Sequence, residues 1–146
     1  MVWIAIVLSI LCLLWWKRGA VVGPAPPELP PSFALDPLFP FAKAIARAEG
    51  FYLANTLPAR NHNPGALRLY GEEHTITYFP DDVAGWRALV AQLRLIYDRR
   101  SSWYSPETTL HEMGMTWTGN DRPDAWTRIV AGRLGVSDQT TLGELV

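Results

Sequence analysis

Apolar residues recur along the chain with two different periods, and the changes of period mark its elements. Leu38, Phe41, Ala42, Ile45, Ala48 and Glu49 stand at three- and four-residue spacing, which predicts a helix with one core-facing stripe. Asp36-Pro37 supplies an N-cap and a first-turn proline, Pro40 is tolerable near the start, and Gly50 stops the helix. His74 to Phe79 reads as a strand through Ile76, Tyr78 and Phe79, pairing with Leu67 to Tyr70 across Gly71-Glu72-Glu73. Asp81 or Asp82 caps the next helix, whose Trp86, Leu89, Val90, Leu93 and Ile96 or Tyr97 share one face. Ser105-Pro106 and the capping-box pair Thr109 and Glu112 start another. Asp121 to Leu134 makes a fourth, with Trp126, Ile129, Val130 and Leu134 inward, and Thr141 and Glu144 begin a last turn. The expected fold class is mainly α (α+β), a helical domain with one small β-hairpin.

The N-terminus follows neither period. Met1 to Trp16 carries no charge, and only Ser9 interrupts its apolar composition. As a helix it would span about 24 Å at about 1.5 Å per residue, somewhat short of a hydrocarbon core of about 30 Å. Its start lacks the basic residue of a cleaved signal and no small-x-small site follows closely, whereas Trp15, Trp16, Lys17 and Arg18 match an aromatic belt with a charged stop. Residues 1–18 are therefore expected to form a transmembrane helix held in a lipid membrane. Prolines crowd Gly23 to Pro40, so residues 19–36 are expected to be a stiff, extended linker, and residues 37–146 the folded domain.

Charge and composition narrow the chemistry. The formal net charge is −1, so no basic field exists to hold nucleic acid. Cys12 is the single cysteine, which leaves neither an intramolecular disulfide nor a cysteine-built zinc site. His62 and His74 have no third ligand at metal-site spacing and His111 falls in a helix, so neither metal nor cofactor is expected. Trp86, Trp103, Trp117 and Trp126 serve the domain either as core filler or as platforms for sugar rings.

Against this background Glu49 is conspicuous. It is a carboxylate on the core-facing stripe, in the last turn of an alanine-rich helix. Partial burial and the negative end of the helix dipole both raise a carboxyl pKa there, the state a general acid for glycosidic cleavage requires. The plain alternative is a solvated glutamate.

Ala48-Glu49-Gly50-Phe51, Arg60-Asn61-His62-Asn63-Pro64-Gly65-Ala66-Leu67, Tyr78-Phe79 leading to Gly85-Trp86-Arg87-Ala88-Leu89, and Trp117 ahead of Trp126 occur in an order that resembles the lysozyme-like superfamily of peptidoglycan-cleaving enzymes. The likeness runs from about Phe41 to Val146 and is nearest to small lytic transglycosylase and glucosaminidase-like domains of bacteria and phages. It implies a lysozyme-like fold, Glu49 as catalytic acid, the Asn61 to Leu67 loop as one wall of a glycan cleft, and Tyr78 with Phe79 on the following strand. Two departures stand out: glycine rather than serine follows Glu49, and no glycine-leucine-methionine-glutamine motif is present.

Under that resemblance Asn61 and Asn63 would either bind acetamido groups or only close the turn before Pro64-Gly65, Tyr78 would donate across the cleft or pack in a strand, and Phe79 and Trp117 would contact sugar. A hydrolase adds a second carboxylate, for which Glu72 and Glu73 in the hairpin turn are candidates beside their reading as solvated turn residues. Asp81 and Asp82 are more simply helix caps. A lytic transglycosylase needs no such partner, because the muramoyl 6-hydroxyl attacks instead. The expectation is a membrane-anchored peptidoglycan-cleaving glycosidase of a bacterial envelope or a phage virion membrane. The alternative is a non-catalytic peptidoglycan-binding or structural component of an envelope or virion assembly. Lys17 and Arg18 favour a cytoplasmic domain by the positive-inside rule, although the implied substrate lies outside.

Overall fold

The computed structural model describes residues 29–68, 75–119 and 121–146. The expected transmembrane helix at 1–18 and most of the linker, like the hairpin turn with Glu72 and Glu73, lie outside the described residues. Among those described, no helix is long and apolar enough to cross a membrane.

The first described element is α1 (Pro31–Ala34), a single turn that begins on proline. It corrects the extended reading of the linker at its C-terminal end, because Phe33 is buried with its ring 5.6 Å from that of Phe39. A large aromatic able to reach a core outweighs the extended preference of nearby prolines. Helix α2 (Phe39–Ala48) follows, with Pro40 in its first turn. The Asp36 carboxylate accepts the Leu38 N–H at 3.0 Å and also pairs with Arg94, fastening the approach to α2.

After α2 come the short α3 (Leu57–Arg60), capped by Thr56, and α4 (Asp82–Tyr97), where Asp81 accepts the Ala84 N–H at 2.8 Å. Helix α5 (Leu110–Trp117) opens with a reciprocal capping box: Thr109 N–H donates to Glu112 at 2.8 Å, and Glu112 N–H donates to the Thr109 hydroxyl at 3.2 Å. Helix α6 is Pro123–Leu134, and a 3₁₀ turn covers Leu142–Leu145. Ser105-Pro106 leads into α5 rather than starting it. Asp121 likewise precedes α6, whose N-cap Arg122 takes the left-handed conformation at φ +57°.

The domain is mainly α. Helix α2 lies between α4 and α6, and α6 packs in turn on α5. Their facing stripes bury Phe41, Ile45, Leu89, Leu93, Ile96, Met113 and Val130. At roughly 1.5–3 kcal/mol for each fully buried large apolar side chain, this core is the main source of stability. The C-terminus closes over it: Leu142 is buried, and Tyr97 donates its hydroxyl to the Leu142 carbonyl at 2.7 Å.

The segment read as a hairpin is only partly ladder-like. Thr77 N–H donates to the Leu67 carbonyl at 2.9 Å, but Phe79 N–H donates to the Asn61 carbonyl instead, and no strand is assigned among the described residues. Among the described residues an isolated antiparallel bridge joins Thr109 and Thr141.

Candidate active site

Glu49 is the C-cap of α2, still helical at φ −75°, and Gly50 turns the chain away at φ +76°. The side chain is thereby held at a helix end, half-buried, facing the groove between α2, α5 and α6. There Trp126 donates its indole Nε1–H to Glu49 Oε1 at 2.8 Å.

What brings Trp126 and Trp117 together is a small residue. A Cβ at Gly114 would lie 2.2 Å from Thr127 Oγ1 and 3.3 Å from Trp126 Cε3. Only glycine lets α5 approach α6 so closely, and the approach sets Trp117 beside Trp126 with ring centroids 6.1 Å apart and planes at 30°. Tyr104 continues the series, 6.1 Å from Trp117 at 35°. The result is a tilted aromatic wall ending at a carboxylate.

This wall is one side of a cleft of about 760 Å³. The chain from Gly65 to Arg68 and Ile76 also line it, and the exposed Trp103, Asp121 and Arg122 stand at its rim. Burial raises the Glu49 pKa above its ordinary value, opposed by the Trp126 and Trp117 side chains and by the positive charge of Arg68. Burial is the largest of these influences, so the proton is held to higher pH than on a solvated glutamate.

Of the residues singled out in the sequence, Glu49, Trp103, Trp117 and Trp126 meet in this cleft together with Gly65 to Leu67 of the loop, whereas Asn61, Asn63, Tyr78 and Phe79 do not line it. Asn63 is fully buried, and its amide is spent on its own loop: Nδ2 donates to the carbonyls of Leu67 and Thr77, both at 2.9 Å, and Oδ1 accepts the Leu67 N–H at 2.8 Å. Asn61 donates to the Ile76 carbonyl at 2.8 Å. The Asn63 amide therefore closes the loop rather than offering itself to a sugar, and the Asn61 nitrogen is likewise spent on backbone. Phe79 belongs to the core, and Tyr78 is exposed beside the His62 ring. His62 Nδ1 lies 2.7 Å from the Asp82 carboxylate, which fastens the loop to α4.

Sequence reasoning passed over Tyr104, Arg68, Arg122 and Asp121, and placed Ile129 in the core although it is exposed and lines the cleft. Asp121 is the other carboxylate on the cleft among the described residues. The closeness of Trp103-Tyr104 to an otherwise polar loop was the available signal for the aromatic wall. Among the described residues no group of three or more His, Cys, Asp or Glu side chains is placed to hold a metal ion. No protein-family model, curated protein or solved structure matches the chain.

Proposed function

We propose that the protein is a membrane-anchored glycosidase that cleaves the β-1,4 glycan of peptidoglycan, with Glu49 as general acid and then base. The observation that carries this reading is the indole N–H of Trp126 on a half-buried carboxylate, inside a cleft walled by aromatic rings. Peptidoglycan as substrate is supported by the order of the lysozyme-like motifs in a mainly helical domain, and by the uncharged N-terminus suited to a membrane at the cell envelope or virion.

The chemistry follows from the two oxygens of Glu49. Trp126 donates to Oε1, and we assign the proton to Oε2. In the proposed reaction Oε2 protonates the bridging oxygen as the bond to the anomeric carbon breaks, and Trp126 and Arg68 stabilise the carboxylate that remains. The muramoyl 6-hydroxyl then attacks the oxocarbenium-like carbon and returns its proton to Glu49, so that an anhydro sugar forms and no water is consumed. A water molecule in place of the hydroxyl would give hydrolysis, with Asp121 the described carboxylate available to the cleft.

Mass spectrometry of soluble products from purified peptidoglycan tests both points. Anhydro ends are expected, and they are lighter than reducing ends by one water. Reducing ends would convert the reading to a hydrolase, and release of no glycan fragment would overturn it.

A further inference from the structure

Trp103 stands in an unusual position for a tryptophan. It is 76 % exposed, while Trp86 and Trp126 are buried and Trp117 is half-buried. Leaving so large an apolar surface in water forgoes the stabilisation its burial would bring. Loose chain does not account for it, because the loop between α4 and α5 is fastened along its whole length. Arg100 and Ser101 donate their N–H groups to the Leu95 carbonyl at 2.8 and 3.0 Å. Arg99 and Glu107 pair across the loop through both guanidinium nitrogens. Gly143 N–H donates to the Pro106 carbonyl at 2.7 Å and Leu142 N–H to the Thr108 carbonyl at 2.9 Å.

The centre of the loop is held from below by one hydroxyl. Ser101 Oγ accepts the N–H groups of both Trp103 and Tyr104 at 3.2 Å. With the backbone pinned there, the two consecutive side chains take different roles. Tyr104 leans on Trp117 and completes the wall leading to Glu49, and Trp103 stands out at the rim of the same cleft. The cleft, at about 760 Å³, lies in the upper part of the range of about 300–1,000 Å³ usual for small-ligand sites, room for linked rings rather than one.

We propose that Trp103 is the platform of an outer subsite, on which a sugar ring of the bound glycan strand stacks at a distance from the bond that Glu49 breaks. The proposal rests on the glycosidase reading and adds a discrimination to it: long strands reach Trp103 and short ones do not. The axial C–H groups of a pyranose offer an apolar face that fits an indole plane, and a rigid aromatic spends little conformational entropy on the contact.

The test uses the full chain in detergent with peptide-free glycan strands separated into short and long fractions. Trp103→Ala is expected to raise KM about tenfold on long strands with kcat nearly unchanged, to leave KM on short strands as it is, and Trp103→Phe is expected to recover most of the loss. An unchanged KM on long strands would overturn the proposal. So would an equal fall in kcat/KM at every length without rescue by phenylalanine, which is the behaviour of a merely structural residue. A binding measurement separates this inference from the reading beneath it. In the Glu49→Gln chain, the indole N–H resonance that disappears with Trp103→Ala should shift on addition of long strands and not of short ones. If the wild-type chain cleaves nothing, the glycosidase reading falls, and this resonance still decides the subsite: a shift upholds it and no shift removes it.

Discussion

Glu49 and Asn63 are both polar residues withdrawn from water beside the same core, yet one is poised for chemistry and the other for architecture. Asn63 is fully buried, and both its amide nitrogen and its oxygen are engaged by backbone groups of its own loop. A buried amide with that many partners is costly to disturb and has nothing left to offer a ligand. Glu49 is half-buried, takes the Trp126 indole N–H at 2.8 Å, and opens on a cleft. Burial raises its pKa against the opposing pull of Trp126, Trp117 and Arg68, so that what would be a defect in a core is useful at a site. Burial alone therefore does not distinguish a structural polar residue from a functional one; the count of partners and access to a cleft do.

The most forceful way to break the comparison is to remove the proton donor. Glu49→Gln keeps size and most hydrogen bonding, and glycan release is expected to fall by about two to four orders of magnitude, measured as initial rate. The fold should survive. Burial makes the native state hold the Glu49 proton to higher pH than the unfolded chain does, so this residue's contribution to stability falls as pH rises through that interval. Denaturant titrations of the Gln variant should lack that fall. Near-normal activity in a folded Gln variant would remove Glu49 from the mechanism.

Asn63→Ala should do the reverse. Its three hydrogen bonds contribute about 2–4 kcal/mol together, and chemical denaturation followed by tryptophan fluorescence should register a loss of that size. Whatever fraction remains folded should still show the acid group's pH dependence. A stable Asn63→Ala variant with weakened glycan affinity would instead restore the amide as a sugar ligand.

Trp126→Phe sharpens the comparison with the smallest change. Loss of the indole N–H removes a donor that favours the ionised carboxylate, so the Glu49 pKa should climb further. Since the reaction needs the protonated acid, the loss of rate on the alkaline side should move to higher pH in the pH–rate profile. Movement to lower pH would mean that another group sets that limb.

Local signals were legible in the chain to the extent that their partners were close in sequence. The capping box of Thr109 and Glu112, the Asp81 cap and the N–H of Thr141 on Glu144 each involve residues three apart. Helical stripes were equally readable, because a single helix imposes the three- and four-residue period regardless of what covers it. The stripe also singled out Glu49 as a carboxylate where an apolar residue belongs. Less visible was the start of the core at Phe33, hidden within proline-rich sequence.

The sequence by itself determined where helices run, how they are capped and which carboxylate is out of place. Tertiary structure alone decided what Glu49 meets. Trp126 lies 77 residues away in the chain, and the close crossing at Gly114 that seats Trp117 beside it depends on contact between two helices. The same holds for Ile129, whose spacing fits a core stripe although its surroundings put it on the cleft. Asn61 and Asn63 carry the right groups for a sugar, but only the folded loop reveals that the backbone has already taken the Asn63 amide and the Asn61 nitrogen. The physical reason is common to all of these: periodicity records how a residue is oriented about its own helix, whereas hydrogen-bond partners, burial and access to a cleft are properties of several segments packed together.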